Sequence, residues 1–401
     1  MLSVAEALTL VLADARALPP VEAELISAHG RVLAADVKAL RTQPPAPVSA
    51  MDGYAVRSSD VASVPARLSV IGEVAAGRPF ERTIGLGEAA RIFTGGVVPT
   101  GADAIIIQEH ATRAGNEVTI TRPASRGRHI RVEGLDFRAG DVLLVRGHRL
   151  TARDLGLAAA MNRATLPVHR QPKIALLATG DELVAPGSNP GSGQIVYSNG
   201  FALRAMMHGE GADVIDLGIA PDRLDETVAA VRRARAAGAD VLVTTGGASV
   251  GDYDLVQKAF AAEGMALSFW KVAMRPGRPL MHGRIADMHV LGLPGNPVSA
   301  FVCGLLFLIP LLRTLAGRSD VSLPTESAVL GASQPANDER ADFLRATLQR
   351  DGGGQLVATP FPTQDSSMVG VLAKANCLVI REPYAPPAEA GTPCMIVRIP
   401  D

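Results

Sequence analysis

The chain has 401 residues, 47% of them hydrophobic and 20% charged, with 40 glycines and 28 prolines; it is too long for one ordinary core and points to several turn-rich globular domains. Lys plus Arg number 39 against 40 Asp plus Glu, a net charge of −1, which leaves no global field to attract nucleic acid and confines anion binding to a local basic pocket. The longest apolar run, AFVCGLLFLIPLL at 300–312, contains a proline and is too short to span a bilayer, so a buried helix and no membrane role are expected.

The first segment, MLSVAEALTLVLADARAL, carries acids and lacks a basic leader or cleavage site, so it reads as an amphipathic helix and not a signal peptide. Residues 3–28 predict two short helices, and 29–44 an extended segment ending at the proline cluster 44–47, a domain boundary. From 49 to 145 the pattern changes to short strands (ARLSVIGEV, AARIFTG, ADAIIIQE, NEVTITR, DVLLVRG) between Gly and Pro turns, a mostly β insert over 45–145. Within it, Asp52-Gly53 and Thr94-Gly95-Gly96 read as ordinary turns, and RGRHIRVEGLD at 126–136 as a solvent-facing basic loop. Thr151 with Asp154 three residues on resembles a capping box and opens a helix through Met161. That helix is expected to pack on the N-terminal helices, so that 1–44 and 146–170 make one domain.

From 173 the chain is regular: strand KIALLAT, helix 199–209, strand ADVIDLG, helix 222–237, strand ADVLVTT, helix 253–263, strands LSFWKV and HVLGLP, helix 297–316. The alternation predicts an open, mostly parallel α/β sheet over 171–318 with helices on both faces and ligands at the carboxyl ends of its strands. After Ser319, ADFLRATLQR, GQLVATPF, NCLVIRE and TPCMIVRIP predict a small C-terminal β barrel or sandwich over 319–401. Cys303, Cys377 and Cys394 are odd in number and lack metal-type spacing, as suits a reducing cytoplasm, and His282 and His289 read as structural, without a second ligand pair for zinc.

The chemistry-bearing motifs fall at predicted strand ends. In TTGGASVGDYD, 244–254, Gly246 and Gly247 let the backbone approach an anion, while Asp252 and Asp254 supply hard oxygen ligands for magnesium beside a phosphate; an ordinary capped strand-to-helix turn is the alternative. ATGDEL, 178–183, adds Asp181 and Glu182 to the same rim as a cation site or general base. Lys271, Arg275 and Arg278 in KVAMRPGRP form a rigid basic loop for phosphate or another oxyanion, unless neighbouring acids pair with them. In GLPGNPVSAF, Asn296 can bond its own backbone, Pro297 suits a first helical turn and Ser299 adds a donor, so the segment is either a pocket wall or purely architectural.

Taken together and in order, SAMDGYAV, RIFTGGVVPTGADAIIIQE, ATGDEL, GQIVYSN, TTGGASVGDYD, MRPGRP and GLPGNPVSAF closely resemble the MoeA family of molybdopterin molybdenumtransferases, whose fold is also that of the gephyrin E domain. The resemblance implies the last step of molybdenum cofactor assembly, in which molybdenum from molybdate (or the similar tungstate) enters adenylylated molybdopterin and AMP leaves. It further implies an elongated homodimer held by the two-segment domain, each pocket taking its α/β wall from one subunit and its MDGYAV insert from the other. Mapped residue by residue, it assigns function to Asp52, Thr94, Asp136, Glu182, Asp222, Asp252, Lys271, Arg275, Arg345 and Ser366. Family members often carry lysine where Arg275 and Arg278 stand, which exchanges a point charge for a planar fork.

The expected division of labour follows. Asp52, Glu182, Asp252, Lys271 and Arg275 act on the reacting groups. Thr94, Gly246, Gly247, Ser249, Arg278, Pro294, Asn296, Ser299, Arg345 and Ser366 bind the pterin substrate, and Asp222, Asp252 and Glu182 hold Mg2+, with Asp52 and Glu182 either positioning the metal or moving protons. A contact with a molybdopterin adenylyltransferase is a further expectation. The alternatives are a molybdopterin adenylyltransferase itself, which tends to carry a GGTG-type loop and lacks the insert, and a gephyrin-like scaffold without catalysis.

Overall fold

The computed structural model describes residues 1–78, 80–246 and 255–400. Helix α1 (Val4–Leu12) starts at Ser3, whose hydroxyl accepts from the Glu6 amide while the Glu6 carboxylate accepts from the Ser3 amide at 2.8 Å. Its buried face, Ala7 and Val11, joins the core of the α/β domain beside Phe307 and Leu311, not the helix that follows Thr151. The second helix expected before residue 28 is instead the strand β1 (Pro20–Glu24) with one 3-10 turn behind it. Consecutive prolines at 19 and 20 hold this stretch extended, since each lacks the amide a helix needs.

The insert is built on a six-stranded sheet, with Val48–Ser49 paired to Ile130–Arg131 beside it, whereas Val142–Leu144, read as an insert strand, pairs with Val37–Lys38 of the first segment. The strands of the sheet are β2 (Gly53–Val56), β3 (Ala66–Val74), β4 (Glu88–Ile92), β5 (Ala104–Ile107), β6 (Ala111–Ala114) and β7 (Glu117–Ile120), in the order β5-β2-β4-β3-β7-β6. Alternate residues of β2 fill two different cores: Tyr54 and Val56 pack with Ile106 and Val118, Ala55 with Val74 and Ile105.

Helix α2 (Ala152–Ala160) begins as expected, with the Asp154 carboxylate accepting from the Thr151 amide at 2.7 Å and from its hydroxyl at 2.6 Å. Strand β8 (Thr165–His169) then pairs antiparallel with β1, and Ala23, Leu33, Phe137, Leu150, Met161 and Leu166 share one core. The two distant segments therefore meet as the sequence predicts, without α1.

The α/β sheet comprises β9 (Lys173–Thr179), β10 (Asp213–Ala220), β11 (Val241–Thr245), β12 (Ala266–Trp270), β14 (Met281–Ile285) and β15 (Met288–Leu293), ordered β10-β9-β11-β15-β14-β12; the short β13 (Met274–Arg275) lies outside it. Only β14, absent from the sequence reading, runs against the others, so β12 points the same way as β15 and the residue after Trp270 emerges at the common carboxyl rim. Helices α3 (Asn199–Gly209), α4 (Leu224–Ala236) and α5 (Leu255–Ala262) cover the sheet, whose two faces support separate cores. The apolar helix runs from Pro297 to Leu315 as α6 (Pro297–Cys303), a π-helical turn (Gly304–Leu308) and α7 (Ile309–Leu315). At 19 residues it is long and apolar enough to cross a membrane, yet 83% of its apolar window is buried inside the protein. Pro310, which has no amide to donate, sits at the exit of the wide turn that accommodates its ring.

The last region is a closed five-stranded barrel of β16 (Thr325–Leu330), β17 (Ala341–Arg350), β18 (Leu356–Pro360), β19 (Cys377–Arg381) and β20 (Pro393–Arg398), closed because β17 pairs with both β18 and β19. Leu330, Ala346, Ala358, Val379 and Ile396 fill it. Strand β13 adds to β17 in parallel and ties the basic loop to the barrel.

His282 and His289 face each other across the β14–β15 hairpin, Nε2 to Nδ1 at 3.4 Å, each 2% exposed. Burial pushes both imidazoles down to about 4, with Arg284 reinforcing the shift in both, His289 adding to it in His282, and Asp14 and Asp240 opposing it. An unfolded chain protonates these groups below 6.5 whereas the folded one resists until about 4, so stability is fully present above the unfolded value and drains away as pH falls between the two. Urea midpoints measured from about pH 7.5 to 5 should fall accordingly, and the fall should flatten in His289→Leu; parallel curves for the two proteins would exclude the pair as the cause.

Candidate functional site

Five segments converge on the carboxyl rim of the α/β sheet: 180–182 after β9, 221–222 after β10, Gly246 after β11, Lys271 after β12 and 294–296 after β15. Gly246 has φ +91°, and a Cβ there would stand 2.4 Å from the Thr179 carbonyl oxygen, so only glycine lets this turn sit against the neighbouring strand. Gly247, Ser249, Asp252 and Asp254 lie outside the described residues. The turn at Gly295 packs on Gly246, and the Asn199 amide side chain donates to the Gly295 carbonyl at 2.7 Å, pinning the start of α3 to the same place.

The acids gather at one end of the rim. Asp181 accepts from the Asp222 backbone amide at 3.1 Å. Burial, then the negative charges of Asp181 and Glu182, push the Asp222 carboxyl above its ordinary range. Nothing cationic is drawn into this cluster among the described side-chain ion pairs.

The basic loop lies at the other end, and the structure divides its three cations. Arg275, expected to meet an oxyanion, is committed to the barrel: its Nε donates to Asp342 at 2.8 Å, and its Nη atoms reach Asp338 at 3.5 Å and Asn337 at 3.3 Å. The hydrogen bond to Asp342 is also what raises its pKa most. Paired with buried Asp342, it fastens the loop to the barrel while its side chain stays about half exposed. Lys271 and Arg278, in contrast, have no carboxylate within ion-pair distance among the described residues. Lys271 sits at φ +83°, an uncommon conformation for a non-glycine residue; its Nζ lies 4.3 Å from the centre of the Trp270 ring. The Lys271 amide donates to Leu280 and the Val272 amide to Arg278, closing the loop on itself.

Asn296 does not bond its own backbone as expected. Its Nδ2 donates to the Ser366 hydroxyl at 2.8 Å, and the Val298 amide donates to the Ser366 carbonyl at 3.0 Å, so the barrel loop 364–366 seals the start of α6. Pro294 and Ser299 are buried, and Pro297 stands in the first helical turn as read. Arg345, expected at the ligand, is fully buried: its Nε donates to Gln364 at 3.2 Å and its Nη1 to the Asp365 carbonyl at 2.8 Å. It acts by shaping the loop that carries Ser366. Gln364 escaped the sequence reading because a glutamine in a loop carries no local signal.

On the insert, one carboxylate oxygen of Asp52 accepts from the Thr94 amide and hydroxyl, both at 2.8 Å. The amide, the hydroxyl and then Arg91 hold the Asp52 carboxyl below its ordinary range. Arg91 stacks over Tyr54 and Phe93 and donates to Gln108 at 2.9 Å, making a rigid floor behind the pair. The two residues read as mere turn formers are thus one unit. Asp136 is exposed at the junction of insert and first segment, its amide donating to Gln43. No described hydrogen bond or ion pair joins Asp52 or Thr94 to the α/β rim of the same chain. Also missed were the buried hydroxyls of Thr179 and Thr244 at the ends of β9 and β11, which have no hydrogen-bond partner among the described residues; polar residues closing otherwise apolar strands were the available signal.

Comparison with known proteins matches three family descriptions in series: "MoeA N-terminal region (domain I and II)" at residues 2–162, "Probable molybdopterin binding domain" at 175–314 and "MoeA C-terminal region (domain IV)" at 327–398. Molybdopterin molybdenumtransferase 2 of Mycobacterium tuberculosis is 39% identical over 362 residues, covering 88% of this chain and 89% of its own. The molybdopterin molybdenumtransferase of Haemophilus influenzae is 35% identical over 369 residues, covering 92% and 91%. The crystal structure of a molybdopterin biosynthesis MoeA protein from Pyrococcus horikosii superposes with a TM-score of 0.85 at 30% identity and full coverage of both chains.

Proposed function

The chain belongs to the MoeA family of molybdopterin molybdenumtransferases, and from that premise we propose that it inserts molybdenum from molybdate into adenylylated molybdopterin with release of AMP, using the rim just described. The observation that carries the reading is the split of charge along that rim. Four strand spacings of about 4.8 Å separate β9 from β12 and five separate β10 from β12, so the strand ends that carry Glu182 and Asp222 stand roughly 19 and 24 Å from the one that carries Lys271. A substrate with a nucleotide at one end and a pterin at the other suits a rim with both kinds of charge.

Lys271 and Arg278 neutralise molybdate or phosphate in a cleft where charge is poorly screened, and hold the oxyanion near the reacting sulfurs. Glu182 and Asp222 face the pyrophosphate end. Their fit to Mg2+ is one of ligand type: hard carboxylate oxygens crowd together at Asp222, while among the described residues no three Asp, Glu, His or Cys groups form a complete cage. Mg2+ commonly takes one or two carboxylates and completes its shell with phosphate oxygens and water, and when bound it would neutralise charge on the pyrophosphate. Asp252 is the further ligand expected from sequence. Asp52, held ionised by Thr94, suits a positioning or electrostatic role better than proton donation.

A homodimer that completes each pocket with the partner's insert is supported by exposed apolar side chains on the segment that carries Asp52: Met51, Phe93, Val97, Val132 and Leu135. A cytoplasmic setting is supported by the three cysteines, all unpaired.

The test is an incubation with adenylylated molybdopterin, molybdate and Mg2+, scoring AMP and metal-loaded cofactor, beside one with molybdopterin and ATP. Turnover in the first and none in the second is the expected outcome. Lys271→Ala should lower AMP release by about 100-fold or more with the fold intact; near-parental rates would remove Lys271 from the machinery.

A further inference from the structure

Trp270 is the only tryptophan in the chain and the last residue of β12, where it pairs with Met281 of β14. It packs against the core of Met281, Ile285 and Val290 on one face of the α/β sheet, while Phe269 before it and Val272 after it belong to the core on the other face. Strict alternation along a strand would carry Lys271 to the Phe269 side and Val272 to the Trp270 side. The φ of +83° at Lys271 breaks that alternation, so the lysine folds back and its Nζ stands 4.3 Å from the centre of the preceding indole ring. The Lys271 amide donates to Leu280 and the Val272 amide to Arg278, each at 3.0 Å, which holds the reversal in place. The indole Nε1 is buried without a hydrogen-bond partner among the described residues. A phenylalanine or leucine would fill this position without leaving a donor desolvated, so what tryptophan adds here is its π face and not its N–H.

We infer that Trp270 is a positioning residue for the basic end of the rim: its indole face fixes the Lys271 ammonium where the oxyanion arrives, without taking any of its charge. A lysine carries its charge on a long flexible stem and loses that freedom when it binds a ligand. A cation over an aromatic face is attracted by the ring quadrupole, and tryptophan is the strongest of the aromatic partners. Because the ring is neutral, the ammonium keeps its full charge for a guest. The neighbouring Arg275 shows the other outcome: Asp342 holds its Nε at 2.8 Å and offsets its charge in doing so. Lys271 is therefore ordered and still unneutralised, with no carboxylate within ion-pair distance among the described residues. That combination suits a dianion such as molybdate, which is bound best by positive charge already in place. The assignment deepens the molybdenumtransferase reading and rests on it for the identity of the oxyanion.

The experiment takes two readouts on the full-length protein, neither of which needs turnover. Emission from Trp270 is the first, since no other tryptophan contributes. Lys271→Met, which keeps most of the side-chain length and removes the charge over the ring, should shift the emission maximum of the ligand-free protein. Calorimetric binding of molybdate is the second. Expected are a dissociation constant about tenfold weaker in Trp270→Leu than in the parent, recovery to within about threefold in Trp270→Phe, which restores a π face, and no further weakening when Trp270→Leu is added to Lys271→Met. The emission of Lys271→Met keeps the test decisive if Trp270→Leu fails to fold. Unchanged emission in Lys271→Met, a parent that does not bind molybdate, affinity unaffected by Trp270→Leu, Trp270→Phe no better than Trp270→Leu, or losses that add in the double variant would overturn the assignment. Failure of the enzymatic reading is separable: it would appear as absent AMP release from the adenylylated substrate while molybdate binding still depended on Trp270.

Discussion

Replacing Arg345 by alanine should cost about 3 kcal/mol in unfolding free energy, since it deletes a buried side chain and charge-assisted hydrogen bonds together. The guanidinium is fully buried and braces the loop 364–366 through Gln364 and the Asp365 carbonyl. Ser366, at the end of that loop, accepts from Asn296 and caps the start of α6. AMP release should therefore drop along with stability. Arg345→Lys should be nearly as damaging, because one ammonium cannot serve partners set apart at Nε and Nη1. Ser366→Ala should lower turnover while leaving the urea midpoint close to that of the parent. The discriminating outcome is Arg345→Ala with an unchanged midpoint and lost turnover. That result would mean that Nη2, which has no partner among the described residues, reaches substrate, and the bracing role assigned above would be wrong.

The second large effect is expected at Gly53. At the first residue of β2, a strand that lies between β4 and β5, a Cβ at this position would lie 1.8 Å from the Ile106 carbonyl oxygen. Main-chain atoms of a paired strand cannot step aside as a flexible side chain can, so Gly53→Ala should break the β2–β5 pairing at a cost of about 3 kcal/mol or more. Asp52, one residue before it, would lose its register with Thr94, and turnover should disappear with the fold of the insert. Proteolysis of the insert and AMP release, followed together, check this. A protease-resistant Gly53→Ala protein with normal activity would show that the sheet tolerates the added carbon.

The insert shows why some of the site escaped local reading. Asp52-Gly53 and Thr94-Gly95 look like ordinary turns because their residue types are those of turns. Only the pairing of β2 with β4 brings Thr94 onto the Asp52 carboxylate, across 42 positions of sequence. The resemblance to a family supplied a role for both residues; the hydrogen bonds supply the physical reason. The basic loop shows the opposite error. Three cations in nine residues looked alike, but Asp342 arrives from the barrel and pairs with Arg275, while Lys271 and Arg278 have no carboxylate within ion-pair distance among the described residues.

The sequence by itself determined the alternation of apolar strands and helices over 173–316, the barrel strands after 319, the helix begun by Thr151 and the strand-end location of the glycine-rich and charged motifs. Those features depend on neighbours within a few residues: side-chain period, missing amides at proline, and the local bonds of caps and turns. The tertiary structure alone decided that α1 packs into the α/β core, that β14 inserts and lets Lys271 emerge at the common rim, and that Arg345 is a buried brace. Each of those outcomes turns on which distant surface arrives first to bury an apolar face or pair a charge, a choice that no short stretch of chain encodes.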